Sequence, residues 1–560
     1  MKNIKTFFCI SLLIATASCS DYLDVVDLDE LTSESVFQTE NDMEYALNQL
    51  YTFLPIGSVE EAGIVLPYFW TDDAVHRSIN NSGGSQASDF NWVATSAVLD
   101  NYYRYAAIAD MNFFLEALPG ADFTTESNRE RFGAEARFIR AMTYETMVLA
   151  YGDVPLVTTI ISASDLPART PRLEVFNFVI SELDEIADQL PLTYDSANAG
   201  RITRGAALTL KARAYLNALG WHSDKAALYK GAEDACKAII DSNMYSLAPG
   251  ISGFEAQFTT ASDIVSTETI LATSYIPVTF THALPYQIAP KGAWRGSAAT
   301  FSNNQSRPGY SSDFIEEVQT INGKFPKDDA TYDPLNPWAN RDPRLAVSVM
   351  LPGDVMPSKG SYTTSYTYQP HPNIAPSTDN LTATSSPTGY SFKKYLDFTL
   401  SSLGLADADI KVFRYSEVLL MYAEALAGRG NDSDALVYLD QVRERVGMPK
   451  YATIGLPTVT RGTTGNQMID AILLERRYEF AGEGPQRWFD IWRYKLGSQV
   501  IKQVYGIPKS TTIPGDLVGE KYTAANSTFF NRVWDDKFYL LPIPQTALDA
   551  NSSLTQNPGY

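Results

Sequence analysis

The stretch from 418 to 446 constrains this chain more than any other, because apolar residues recur there at helical spacing twice in succession. Val418, Met421, Tyr422, Ala425 and Leu426 share one helix face, and the pattern stops at Gly428 and Gly430. Asn431, Asp432 and Ser433 then offer caps for a second helix, with Ala435, Leu439, Val442 and Val446 on one side. A two-helix hairpin has no core of its own, so it needs further helices stacked against it.

The same texture recurs upstream. Tyr144, Met147, Val148 and Tyr151 form a stripe ended by Gly152 and Pro155; Leu208, Ala212, Tyr215, Leu216 and Leu219 form another, ended by Gly220. The 422–446 hairpin resembles a tetratricopeptide repeat, with small alanines at the helix contact and an aromatic filling the next layer. Segments 134–151 and 205–240 are degenerate relatives of it. The expected fold is mostly α, with these helix pairs as a spine. Between about 250 and 400, Pro, Gly, Ser, Thr, Asn and Tyr crowd together, and ordered, ligand-facing loops are expected.

The first residues give an address. Two lysines precede an eleven-residue uncharged stretch, Phe7–Ala17, which is too short to span a bilayer and right for a signal-peptide core. Small residues lead to Cys19, as in a bacterial lipobox. The expected plan is a lipoprotein signal over 1–18, then lipidated Cys19 and a tether over 19–30. An N-terminal region follows over 31–250 and a C-terminal region over 251–560, together one compact unit. The only thiol then left is Cys236, on the stripe Ala232, Ala235, Cys236, Ile239, Ile240, where it is expected as a small buried hydrophobe.

Lys plus Arg number 44 against 65 Asp plus Glu, a net charge of −21 that repels polyphosphates, so nucleic acid is excluded as a partner. The four histidines are isolated, and no zinc, phosphate-loop or nucleophile-elbow motif occurs. No metal or cofactor is therefore expected. Asp24, Asp27, Asp29 and Glu30 lack the spacing and glycine of an EF-hand, which leaves little support for calcium. The densest ionic run, Glu475, Arg476, Arg477, Glu479, Arg487, Asp490 and Arg493, has spacings of three and four, which predicts structural ion pairs along helix faces.

Aromatic residues make up 12% of the chain, enough for a core and a binding surface. Sugars stack C–H faces on Trp or Tyr and offer hydroxyls to Asn, Asp or Arg. Trp488 and Trp492, one turn apart, are expected in the core, with Trp534. Trp70, Trp92, Trp221, Trp294 and Trp338 stand in irregular sequence with polar neighbours. The candidate ligand contacts are Trp92 and Trp294 as stacking platforms, Trp70 as a third, and Asp73, Asn91 and Arg295 as hydroxyl partners.

Several motifs together resemble the SusD/RagB family of starch-utilisation-type surface lipoproteins. They are the lipobox with Ser20-Asp21-Tyr22-Leu23-Asp24, Ala134–Ala141 leading into Tyr151-Gly-Asp-Val-Pro-Leu-Val157, and Asn340-Arg-Asp-Pro-Arg-Leu345. Further on come Arg414–Ala425, Leu474–Phe480, Arg487-Trp-Phe-Asp490, Leu541-Pro-Ile-Pro544 and Leu554–Tyr560. The resemblance implies an α-helical fold with four tetratricopeptide-like pairs supporting a loop-rich face. It implies a non-enzymatic glycan binder, lipid-anchored outside a Gram-negative outer membrane, acting as lid over a SusC-like TonB-dependent transporter. The competing readings are peptide cargo, as in the RagB branch, a surface glycoside hydrolase, and a purely structural scaffold.

Overall fold

The structure, a computed structural model, describes residues 37–56, 64–76, 88–96, 101–162, 164–260, 266–290, 308–356, 365–375, 379, 381, 386–397, 405–510, 520–524 and 532–560. The signal, Cys19, the tether, its acidic residues, Trp294 and Arg295 lie outside these.

Ten helices carry the architecture: α1 Glu40–Leu50, α2 Tyr105–Ala117, α3 Glu126–Tyr151, α4 Arg172–Ala187, α5 Arg204–Asn217, α6 Lys225–Asp241, α7 Tyr415–Gly428, α8 Asp432–Arg445, α9 Gln467–Glu479 and α10 Gln486–Arg493. Thr39 and Asp42 form a reciprocal capping box at the start of α1. Gly152 closes α3 at φ +74°, its N–H returning to Val148. As the sequence predicts, Asn431 caps α8 through the N–H of Asp434.

Neighbours in the chain pack on one another: α3 on α4, α4 on α5, α5 on α6, then α6 on α7 and α7 on α8, with α9 against both. This is the expected spine, with the loop-rich chain of residues 242–414 inserted between α6 and α7. Close approach depends on two glycines. A Cβ at Gly231 would fall 2.5 Å from the Tyr215 ring, and one at Gly428 would fall 2.4 Å from Tyr229. Each aromatic thus fills the hole left on the next helix. Cys236 is fully buried on α6, as expected, and burial pushes its thiol well above the ordinary value.

Among the described residues the named strands form only short antiparallel pairs. β1 Ala74–His76 pairs with β3 Pro308–Tyr310, Ala74 opposite Tyr310. β2 Thr269–Thr273 pairs with β4 Ile410–Arg414, Thr269 opposite Arg414. The β2–β4 pair joins the loop-rich insertion to the spine directly, because β4 runs straight into α7.

Candidate functional site

Four of the candidate contacts lie in the segments 64–76 and 88–96; the first packs on α10 through its 3₁₀ turn, and the second packs on that turn through Trp92. Leu66–Trp70 is a 3₁₀ turn with all five residues buried. Trp70 is 1% exposed, its ring edge-on to Trp92 at 5.5 Å, Tyr102 at 5.5 Å and Trp488 at 5.0 Å. Trp92, 3% exposed, also meets Phe90 at 5.2 Å and Phe538 at 5.5 Å. The expectation that both tryptophans are stacking platforms is corrected here: rings from four parts of the chain cover them and leave no face for a sugar. They are the core beneath the loops.

Asp73 is corrected in the same way. It is fully buried, and Oδ1 accepts from Arg477 Nε at 3.0 Å and Nη2 at 2.6 Å. Burial raises its pKa, and adjacent Asp72 adds to the rise against the pull of Arg477. Asp72 is buried too, but Arg487, Arg477 and Arg461 outweigh its desolvation and hold it well below the carboxylate range. These two acids bolt the 64–76 segment to α9 and to Arg487 of α10 rather than face solvent.

Asn91 is different. Phe90 adopts φ +57°, in the left-handed region unusual for a bulky residue, and both Phe90 and Trp92 turn inward while Asn91 is exposed between them. Beside Phe90 stands Trp534, expected in the core but half-buried, its ring edge-on to Phe90 at 5.6 Å. Trp534 seats over Gly497, where a Cβ would collide with the indole at 2.2 Å. Among the described residues next to the cluster, Asn91 and Val93 are exposed and Trp534 is half-buried. Sequence reasoning missed Trp534 because no periodicity marks which face of an irregular segment is exposed. Trp488 and Trp492 are buried, as expected.

The ionic run is structural, but its pairing differs from the expectation. Only Asp490–Arg493, 2.8 Å, lies along one helix. The others reach across elements: Arg476 to Asp490 at 3.1 Å, Arg487 to Asp72 at 2.9 Å, Arg493 to Glu424 at 2.6 Å. Behind them sits a buried lattice. Arg414 binds Glu268, Glu479 and Glu483; Arg344 binds Asp342, Glu475 and Glu479; Arg443 binds Glu475; Arg445 binds Glu268 and Glu479; Lys394 binds Glu483. Its cations and carboxylates match in number, which buried charges require, since an unpaired one bears its full desolvation cost. The lattice pins the insertion to α8 and α9.

Among the described residues no group of His, Cys, Asp or Glu is arranged to hold a metal ion, and no helix is long and apolar enough to cross a membrane.

Stacked helix pairs bearing a loop-rich insertion, bolted on by buried ion pairs, define a helical-repeat scaffold that presents a loop-rich face. Residues 279–560 match the SusD family model, and residues 21–216 match a second model described as starch-binding associating with outer membrane. The chain belongs to the SusD family. It is 25% identical to SusD-like protein P2 of Formosa agariphila over the full length of both. A solved SusD-like protein of Bacteroides fragilis has the same fold, at a TM-score of 0.76 and 22% identity, covering 95% of this chain and 99% of that one. A SusD-like carbohydrate binding protein from the same organism matches at 0.76 and 24%, covering 92% and 99%.

Proposed function

We propose that this chain captures oligosaccharides at the outer surface of a Gram-negative outer membrane, held there by lipid on Cys19, and delivers them to a SusC-like TonB-dependent transporter. The observation that carries the reading is the match of residues 21–216 to the starch-binding, outer-membrane-associating family, continued by the SusD family over 279–560. The carbohydrate-binding relative of the same fold supports it. Binding without turnover is favoured because the most clustered acids, Glu475, Glu479, Glu483 and Asp490, are committed to buried ion pairs.

The proposed contacts are the exposed Asn91, Trp294 as stacking platform and Arg295 as hydroxyl partner, with Trp534, which packs on Phe90, beside them in the proposal. A site of this kind buries little surface and binds in the range of about micromolar to millimolar, which suits a carrier that must release its cargo inward. Isothermal titration of the mature chain against plant, host and microbial polysaccharides tests this. Saturable binding to one class, with no new reducing ends after overnight incubation, supports it; absence of binding to every class, or turnover, overturns it.

A further inference from the structure

An open cleft of about 550 Å³ lies between α1, the 197–201 turn and the end of β2, within the range of about 300–1,000 Å³ typical of ligand sites. Phe280, Ser274, Asn198, Asn48 and Thr52 are among its lining residues. We propose that this cleft is a second carbohydrate site, taking a neutral pyranose on the ring of Phe280; this rests on the glycan reading above.

Phe280 is 52% exposed, yet it is held rigidly. It stacks on Tyr275 with centroids 5.1 Å apart and planes 13° apart, and Tyr275 in turn meets the edge of His282 at 4.6 Å. His282 is fixed between the Leu284 N–H and the Ala408 carbonyl. Reciprocal backbone bonds between Ile276 and Phe280, 2.8 and 2.9 Å, close the turn. At its tip Val278, 86% exposed, takes φ +66°. A β-branched residue in that region is strained, and such strain is retained where the surroundings over-determine a geometry. An aromatic face is electron-rich and attracts the polarised C–H bonds of a pyranose. An exposed ring already locked in place gives up little entropy on binding.

The walls are pre-formed. Thr273 donates to the Pro55 carbonyl at 2.7 Å, tying β2 to the segment after α1. Arg201 ties the 197–201 turn to Glu44 of α1 at 2.7 Å and to Glu135 of α3 at 3.3 Å, and donates to Asn198 at 3.1 Å. That guanidinium is therefore neutralised from within; the Thr52, Thr273 and Ser274 hydroxyls donate to protein partners, which leaves their acceptor lone pairs and the Asn48 amide to meet a ligand beside apolar Leu54, Ile56 and Ala272. Such a lining fits an uncharged sugar, and a protein of net charge −21 repels uronates and sulfated glycans.

The test is titration of the mature chain with hexasaccharides of α-1,4-glucose, β-1,4-xylose and β-1,3-glucose, and with hexagalacturonate as the anionic probe. The variants are Phe280→Ala, Phe280→Tyr and Asn48→Ala, all at surface positions, with melting curves confirming the fold. The expected result is that a neutral hexasaccharide binds, that Phe280→Ala and Asn48→Ala each weaken it at least fivefold, and that Phe280→Tyr stays within about twofold. Wild-type affinity in both alanine variants overturns the cleft and leaves the glycan reading standing. No sugar bound by the unmodified chain overturns both. Hexagalacturonate bound as tightly as the neutral probes overturns the assignment to uncharged sugars.

Discussion

Arg477 and Asp73 stand 404 positions apart, yet one guanidinium gives two hydrogen bonds to one carboxylate oxygen, at 3.0 and 2.6 Å. Arg477 also reaches Glu317 at 2.5 Å, so a single side chain of α9 fastens both the 64–76 segment and the insertion. Asp73→Ala is expected to destabilise the protein by about 3 kcal/mol, because it strips a buried cation of a partner. Urea denaturation checks the loss. Sugar affinity of the folded fraction should be unchanged, and a selective loss of affinity would return Asp73 to the ligand site.

The tryptophans should divide sharply. Trp92→Ala removes a ring packed against Trp70, Phe90 and Phe538 and should cost about 3–5 kcal/mol of stability. Trp294→Ala should lower sugar affinity at least tenfold and leave the melting temperature nearly unchanged. Paired calorimetry, thermal and titrating, reads both.

Glu145 of α3 gives a pH dependence. Burial pushes its carboxyl up to about 7 despite Arg213 nearby and a hydrogen bond from Asn217 at 2.7 Å. The folded state therefore holds this proton more tightly than the unfolded chain, whose carboxyl has the ordinary value of 4.5. Its contribution is most favourable below pH 4.5 and is lost as pH rises through 7. Glu145→Gln should stabilise the protein at pH 8 by on the order of 3 kcal/mol and change little at pH 4.5. Denaturation curves at the two pH values decide it.

The C-terminal motif is a clasp. Asn557 donates to the Tyr151 carbonyl at 2.9 Å and the Leu541 carbonyl at 2.7 Å, and accepts from Arg169 at 2.5 Å. Asn557→Ala removes both donations and the acceptor for Arg169, leaving the Tyr151 carbonyl only the longer bond from Arg169 at 3.3 Å, and should cost about 2–4 kcal/mol. A drop in melting temperature with unaltered sugar binding is the expected outcome.

The helical spine was legible because its signals are local. The stripe through Val418, Met421, Tyr422 and Ala425, the stop at Gly428 and the cap at Asn431 all lie within one or two turns of the groups they govern. The candidate site was much less legible. Trp70, Trp92 and Trp534 stand in segments without a period, so nothing nearby says which way each ring points. Trp70 and Trp92 are buried by Tyr102, Trp488 and Phe538, and Trp534 stays half-buried over Gly497. The same holds for charge. The spacing of Glu475, Glu479 and Arg476 suggested pairing along one helix, whereas Arg344, Arg414, Arg443 and Asp490 supply the partners.

By itself the sequence determined a mostly helical chain with stacked pairs, a loop-rich insertion, a buried Cys236 and a set of motifs spread in order from end to end. Tertiary structure decided which aromatic rings are core, which acids are bolts and where a ring remains open to solvent. The physical reason is range. Helix periods and caps act over a few residues, while a side chain in irregular sequence is buried or exposed by groups hundreds of positions away, and only packing brings those groups to it.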